Sequence, residues 1–406
     1  MNTGHIYLDN NSTTMMAPEV LEAMLPYLRT EYGNPNSLHS YGLSARNGLR
    51  TAIDQIYAGI NASDDDDILM VGCATEANNT VLKSILRRHP DGTLCGDPHG
   101  RTHIVTSTIE HPCIRNTCEY LETQGIEVTY VPVNSDGIIT PEAVKAVIDP
   151  RKTALVSIMW ANNETGLVNP IAEIAKVVHE AGCLFHTDAV QAVGKIPVDV
   201  QAAGVDMLTM SAHKFHGPKG VGALYVRAGC HWLNESDGWF VPLLHGGEQM
   251  SGRRAGTINV AGIVGMGKAI ELTTANWDSD GHIERITALR NKLEDAIAKI
   301  SGVTIIGKRE LRTPNTILAS FKGVEGEALL WDLNEAGIAA STGSACASES
   351  LQANPTFVAM SIDPELSHTG IRFSLSRYTT EEEIDKAIVA VNEAVKRLRT
   401  ISGQLN

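Results

Sequence analysis

From about residue 100 the chain alternates short apolar runs with amphipathic stretches. His103–Ser107, Ile126–Val131 and Ala154–Trp160 are continuous apolar or β-branched runs and predict strands. Cys183–Thr187, Met207–Met210 and Val221–Val226 predict further buried strands, and Pro170–Ala181 predicts a helix with proline where a first turn tolerates it. Apolar strands separated by helices indicate an α/β fold with a mostly parallel sheet covered on both faces.

Near Gly262 the pattern changes. Ile283, Ile286, Leu289, Leu293, Ile297 and Ile300 recur every three or four residues, which predicts one long amphipathic helix. Strands at Val303–Ile306, Thr316–Phe321 and Ile371–Leu375 follow, with a helix near Glu325–Glu335. A last helix starts at Thr379–Glu383, where threonine caps and an acidic first turn suits the helix dipole. This second half reads as an α+β unit. The Gly-, Pro- and Asp-rich stretch 91–100 reads as an exposed loop.

A chain of 406 residues is too long for one ordinary core, so two domains are expected. The net charge of −14 weighs against nucleic acid as a partner. No apolar run is long enough for a membrane span, and no signal peptide opens the chain, which together point to a cytoplasmic protein. The seven cysteines are odd in number, irregularly spaced and without a Cys-x-x-Cys pair, so neither a disulfide scaffold nor a structural zinc site is expected.

Two apparent motifs carry little weight. Gly262–Ala269 nearly matches a phosphate-binding loop, but Ala269 replaces the hydroxyl that would ligate magnesium, and a domain-linking helix is expected there. His213 and His216 lack a third ligand at metal-site spacing, so no metal is expected.

Three segments suggest chemistry. Lys214 follows an apolar strand inside the Gly- and His-rich turn 211–220, and reads equally as a surface lysine or as a desolvated amine able to form a Schiff base. Asp188 at the end of 185–188 reads as a helix cap or as the carboxylate that keeps a pyridine ring protonated. Ala74-Thr75-Glu76 opens an apparent helix whose free N–H groups suit a phosphate. Together they would cover the aldehyde, ring nitrogen and phosphate of pyridoxal 5′-phosphate (PLP).

The blocks Tyr7–Thr13, Gly33–His39, Ala74–Asn79, Glu110-His111-Pro112, Asn162–Gly166, His186–Gln191 and Ser211–Lys214 resemble those of the cysteine desulfurases. Gly246–Gln249, Arg253–Thr257, Thr342–Ser348 and Ile371–Ser374 continue the resemblance in family order over nearly the whole chain. The likeness is to the branch serving iron–sulfur cluster assembly and nitrogenase maturation. It implies the PLP-dependent transferase fold of type I aminotransferases. A large domain would span 15–262, and a smaller one would take 1–14 and 263–406.

The resemblance also implies roles. Lys214 would carry PLP, Asp188 would face the ring nitrogen, and His111 would stack on the ring and shuttle a proton. Gln191 and Asn163 would contact the phenolic oxygen. Ala74, Thr75, Ser211 and His213 would hold the phosphate, with Thr257 contributed across a homodimer. Arg372 would clamp the carboxylate of L-cysteine, assisted by Asn34 and Asn163. Cys346, in the small-residue segment 342–348, would take the sulfur as a persulfide and pass it to an iron–sulfur scaffold or another acceptor, where it would meet any transient cluster. Competing expectations are a selenocysteine lyase or another PLP enzyme of this fold, and a non-catalytic sulfur-trafficking scaffold. Ser12 departs from the family pattern, where alanine is common.

Overall fold

The computed structural model describes residues 5–233, 239–274, 281–342 and 354–403. Its strands begin with β1 (Ile6–Tyr7), β2 (Asp67–Val71), β3 (His103–Ser107), β4 (Glu127–Val131), β5 (Thr153–Ser157) and β6 (Leu184–Asp188). They continue with β7 (Met207–Ser211), β8 (Gly222–Val226), β9 (Val303–Ile305), β10 (Thr316–Phe321), β11 (Ile338–Ala339) and β12 (Gly370–Ser374).

One seven-stranded sheet runs in the order β2-β8-β7-β6-β5-β3-β4. Strands β3 to β7 are mutually parallel, as the α/β pattern requires. The exception is β8, which lies antiparallel to both β7 and β2. Only residues 212–221 join β7 to β8, fewer than the dozen or so that a parallel crossover needs.

Alternate residues of these strands feed opposite cores, as a period of two dictates. Val105, Ala223 and Tyr225 pack with Ile56 of the helix Ser40–Gly59 and Val178 of the helix Ile171–Glu180. Ile104, Leu224 and Val226 pack on the other face with Val81 of the helix Ala74–Lys83 and Leu121 of the helix Pro112–Thr123. Pro170 stands at the N-cap of its helix, one place before the first turn. Pairing beside β5 continues past Ser157, because Ile158 N–H donates to His186 O at 3.1 Å and Trp160 N–H to Asp188 O at 2.9 Å.

Residues 262–269 lie in the middle of the helix Val260–Thr274 and form no loop. Their glycines allow helices to touch: a Cβ at Gly267 would meet Ala52 Cα at 2.7 Å. Ile263, Met266 and Ile270 are buried in the first core, so this helix packs with the large unit, beyond the boundary expected at residue 262.

A second core gathers around the antiparallel sheet β12-β10-β9. Leu289, Leu293 and Ile297 of the helix His282–Ala298 meet Val391 and Val395 of the helix Glu381–Ile401 there. The last helix starts with a capping box between Thr380 and Glu383. Strand β1 pairs in parallel with β11, and Ile6 and Leu8 are buried in this second core. The chain's first strand therefore crosses to its last third, which carries residues 9–13 across the junction between the cores.

Candidate active site

Parallel strands deliver their C-terminal ends to one edge of a sheet, and ligand sites of open α/β folds form there. Asp188 ends β6, Ser211 ends β7, and β2 leads into the helix Ala74–Lys83. A cavity of about 230 Å³ opens at this edge. Ala74, Thr75, His111, Asn163, Asp188, Gln191, Ser211, His213 and Lys214 all line it.

Lys214 Nζ donates to Asn11 O at 2.7 Å and to Ser12 O at 2.8 Å. Burial, and then the charge of Arg372, bring its amine down to about 8. A neutral fraction is thereby available near neutral pH, as a nucleophile or base requires. Asp188 accepts Val190 N–H on Oδ1 at 3.0 Å and the Asn78 amide on Oδ2 at 2.8 Å. Each carboxylate oxygen has a further lone pair, so a ring N–H can be accommodated.

His111 caps the helix Pro112–Thr123, with Nδ1 accepting Cys113 N–H at 3.1 Å. Burial lowers its pKa, so the ring is neutral near pH 7 and carries its proton on Nε2. The Cys113 thiol lies 3.0 Å from Nδ1 and receives the Asn78 amide at 3.1 Å, and burial pushes it up to about 12. It is held as a thiol.

The residues present fit PLP. The helix Ala74–Lys83 begins at Cys73 with no side-chain cap, so its first amides open on the cavity for a phosphate. The backbone approaches closely here: a Cβ on Gly222 would meet Met210 O at 2.8 Å and Ala74 N at 3.2 Å. An amine, a carboxylate and an uncapped helix start thus share one cavity.

Asn34, Thr257 and Arg372 stand apart from the cavity lining. Asn34 is exposed, its Oδ1 accepting Asn36 N–H at 3.0 Å in a local turn. Thr257 is exposed as well, and neither lines the cavity. Arg372 is buried behind Asn163, with Nη1 donating to Asn163 O at 2.9 Å and Nη2 to Asp9 Oδ1 at 2.7 Å. The Gln191 carboxamide is engaged at both ends, Nε2 with Asn11 O at 2.9 Å and Oε1 with Lys195 Nζ. Cys346 lies outside the described residues.

His213 and His216 are each held by a separate hydrogen bond. Their Nδ1 atoms bond Thr13 Oγ1 at 3.1 Å and Met15 O at 2.9 Å, and burial lowers both rings to about 4. Among the described residues no cluster of three or more His, Cys, Asp or Glu side chains could hold a metal.

Several contributors carried no periodic signal. Glu110 is buried under the site, with Oε1 accepting Ser107 Oγ at 2.6 Å and Met159 N–H at 2.9 Å. Asn11 is a hub at the junction of the cores: its amide donates to Thr316 Oγ1 at 2.9 Å, and its Oδ1 accepts Lys195 Nζ at 3.0 Å and Asn315 Nδ2 at 3.1 Å. Asn78, Glu110 and Asn11 all stand inside the blocks that carry the family resemblance, which was the one available signal.

Residues 6–387 match the family model "Aminotransferase class-V". A curated relative, "Cysteine desulfurase" of Nostoc sp. (strain PCC 7120), is 47% identical over 398 residues, covering 98% of this chain and 94% of its own. A solved "NIFS-LIKE PROTEIN" superposes with a TM-score of 0.86 at 35% identity, covering 97% of this chain and 100% of its own. "SspA in complex with cysteine" superposes with a TM-score of 0.77 at 30% identity, covering 92% of this chain and 100% of its own.

Proposed function

Since the chain belongs to the class V aminotransferase family, as a near full-length relative of cysteine desulfurases, we propose that it removes sulfur from L-cysteine. The products are L-alanine and a persulfide on Cys346. What supports this above all is the convergence of Lys214, Asp188 and the uncapped helix start at Ala74 on one cavity.

PLP, when bound, supplies an aldehyde for an amine and a protonated ring that accepts electrons from the substrate's Cα. Lys214 would carry the cofactor, and its amine, brought down to about 8, would serve as the base for the Cα proton. Asp188 would hold the ring nitrogen protonated. Ala74, Thr75, Ser211 and His213 would bind the phosphate, and Gln191 and Asn163 would contact the phenolic oxygen. His111 would cover the ring and could deliver a proton from Nε2. Arg372, with Asn34 and Asn163, receives the substrate carboxylate.

The Cys346 thiolate attacks the substrate sulfur, forming an S–S bond as the C–S bond breaks. The electron pair of that bond stays with the substrate carbon, which takes a proton and leaves as L-alanine. The persulfide sulfur then passes to an iron–sulfur scaffold or another acceptor. In a homodimer, Thr257 of the partner subunit completes the phosphate site. The enzyme works in the cytoplasm.

The deciding experiment measures L-alanine and sulfide released from L-cysteine in the presence of a thiol reductant, beside Cys346→Ala and Lys214→Ala. Matched products from the wild type and none from either variant are expected. Full turnover by Cys346→Ala would remove the persulfide route. Products from Lys214→Ala at the wild-type rate would remove the PLP chemistry.

A further inference from the structure

Ser12 touches both cationic groups of the site. Its main-chain carbonyl accepts Lys214 Nζ at 2.8 Å, and its hydroxyl accepts Arg372 Nη2 at 2.7 Å. The same hydroxyl donates to Asp9 Oδ1 at 2.8 Å, which is also the oxygen paired with Arg372 Nη2. Asp9 and Ser12 thus present Arg372 with a carboxylate and a hydroxyl.

The Arg372 side chain is only 3% exposed and that of Asp9 20% exposed. A buried guanidinium cannot give up a carboxylate without receiving another acceptor, because an uncompensated buried charge is strongly unfavourable. An incoming carboxylate can take the place of Asp9 at Arg372 and keep the buried guanidinium paired.

The neighbouring Asn11 cannot follow that exchange. Its N–H is held by Ser374 Oγ at 2.9 Å, its amide by Thr316 Oγ1 at 2.9 Å, and its Oδ1 by Lys195 and Asn315. Movement is left to the Asp9 side chain and to Ser12. Once Ser12 shifts, Lys214 keeps its bond to Asn11 O at 2.7 Å and loses the one to Ser12 O.

We propose that Asp9 and Ser12 are positioning residues that form an exchangeable latch: a substrate carboxylate displaces them from Arg372, and Ser12 then releases the amine of Lys214. Arrival of the carboxylate thereby frees the amine. The inference deepens the desulfurase reading and rests on Arg372 as the carboxylate site. It adds the intramolecular competitor and the coupling.

The test uses the full chain freed of PLP and propionate as the probe, a carboxylate that lacks the amine of an amino acid. Propionate binding is read by calorimetry, and the reactivity of Lys214 by its rate of reductive methylation, followed by mass spectrometry. Propionate should raise the Lys214 rate several-fold in the wild type. Ser12→Ala keeps the main-chain carbonyl on Lys214 and removes the hydroxyl that links it to Arg372, so its Lys214 rate should start at the wild-type level and respond little to propionate. Asp9→Asn should bind propionate about tenfold more tightly, the equivalent of one charge-assisted hydrogen bond no longer competed for. No propionate binding, or binding that leaves the Lys214 rate unchanged, would overturn the latch. Failure of the desulfurase reading would show separately, as missing alanine, since the methylation rate does not depend on turnover.

Discussion

The side-chain amide of Asn78 donates to Asp188 Oδ2 at 2.8 Å, joining the helix whose first residues line the cavity to the carboxylate on its wall. Asn78 is fully buried and also donates to the Cys113 thiol at 3.1 Å. Asn78→Leu keeps the bulk and removes both donors. A lost hydrogen bond to a charged group costs about 1.5–3 kcal/mol, so the urea midpoint should fall measurably. PLP retention through gel filtration should fall with it, because Asp188 would keep only the Val190 N–H.

Glu110 gives a pH signature. Burial pushes its carboxyl up to about 8, against about 4.3 for an unfolded glutamate. Between those values the native state holds a proton that the unfolded chain has lost, so stability falls as pH rises through the window and levels off above about 8. Glu110→Gln keeps an oxygen for Ser107 and Met159 and removes the titration. Urea titrations should then show the variant gaining on the wild type between pH 5 and pH 8. Parallel curves would count against a buried protonated carboxyl.

For Lys214 the shift has the opposite sense. Burial and Arg372 lower the amine to about 8, from about 10.4 for an ordinary lysine. In protein freed of PLP, the methylation rate of Lys214 should rise with pH to a half-point near 8. Arg372→Met removes the second cause and should move that half-point upward. A wild-type half-point near that of surface lysines would contradict the burial of this amine.

Gly222 tests the phosphate end of the site. A side chain there would collide with Met210 O and the backbone at Cys73 and Ala74. Gly222→Val should cost roughly 1–3 kcal/mol through overpacking. It should also raise the PLP concentration needed for half-saturation, because the turn that starts the helix is pushed from place. Thermal melts and PLP titration of the same samples separate the two effects.

Strands such as β3 and β10 were legible as continuous apolar runs, and their observed limits coincide with the residues read from the sequence. β2 and the two helices before it gave no reading, although Val20 and Ile56 are buried there. Lys214, Asp188 and Thr75 were legible because each stands at the start or end of a regular element. Asp9 and Ser12 were not, since their importance lies in contacts with Arg372, 363 and 360 positions away. No local periodicity encodes a meeting of that kind. The reversed direction of β8 follows from a connection length, which composition alone does not weigh.

The threading of Ile6 and Leu8 into the second core has a consequence for biosynthesis. Their packing partners begin at Ile286, so during translation the first strand waits for most of the chain to emerge. At ordinary ribosomal speeds that delay is on the order of tens of seconds. The large sheet can close in that interval, while Asn11 still lacks Asn315, Thr316 and Ser374 and Ser12 still lacks Arg372. A nascent chain would therefore acquire its shape before its reactivity, and free cofactor would meet an unfinished pocket until the last helix leaves the ribosome.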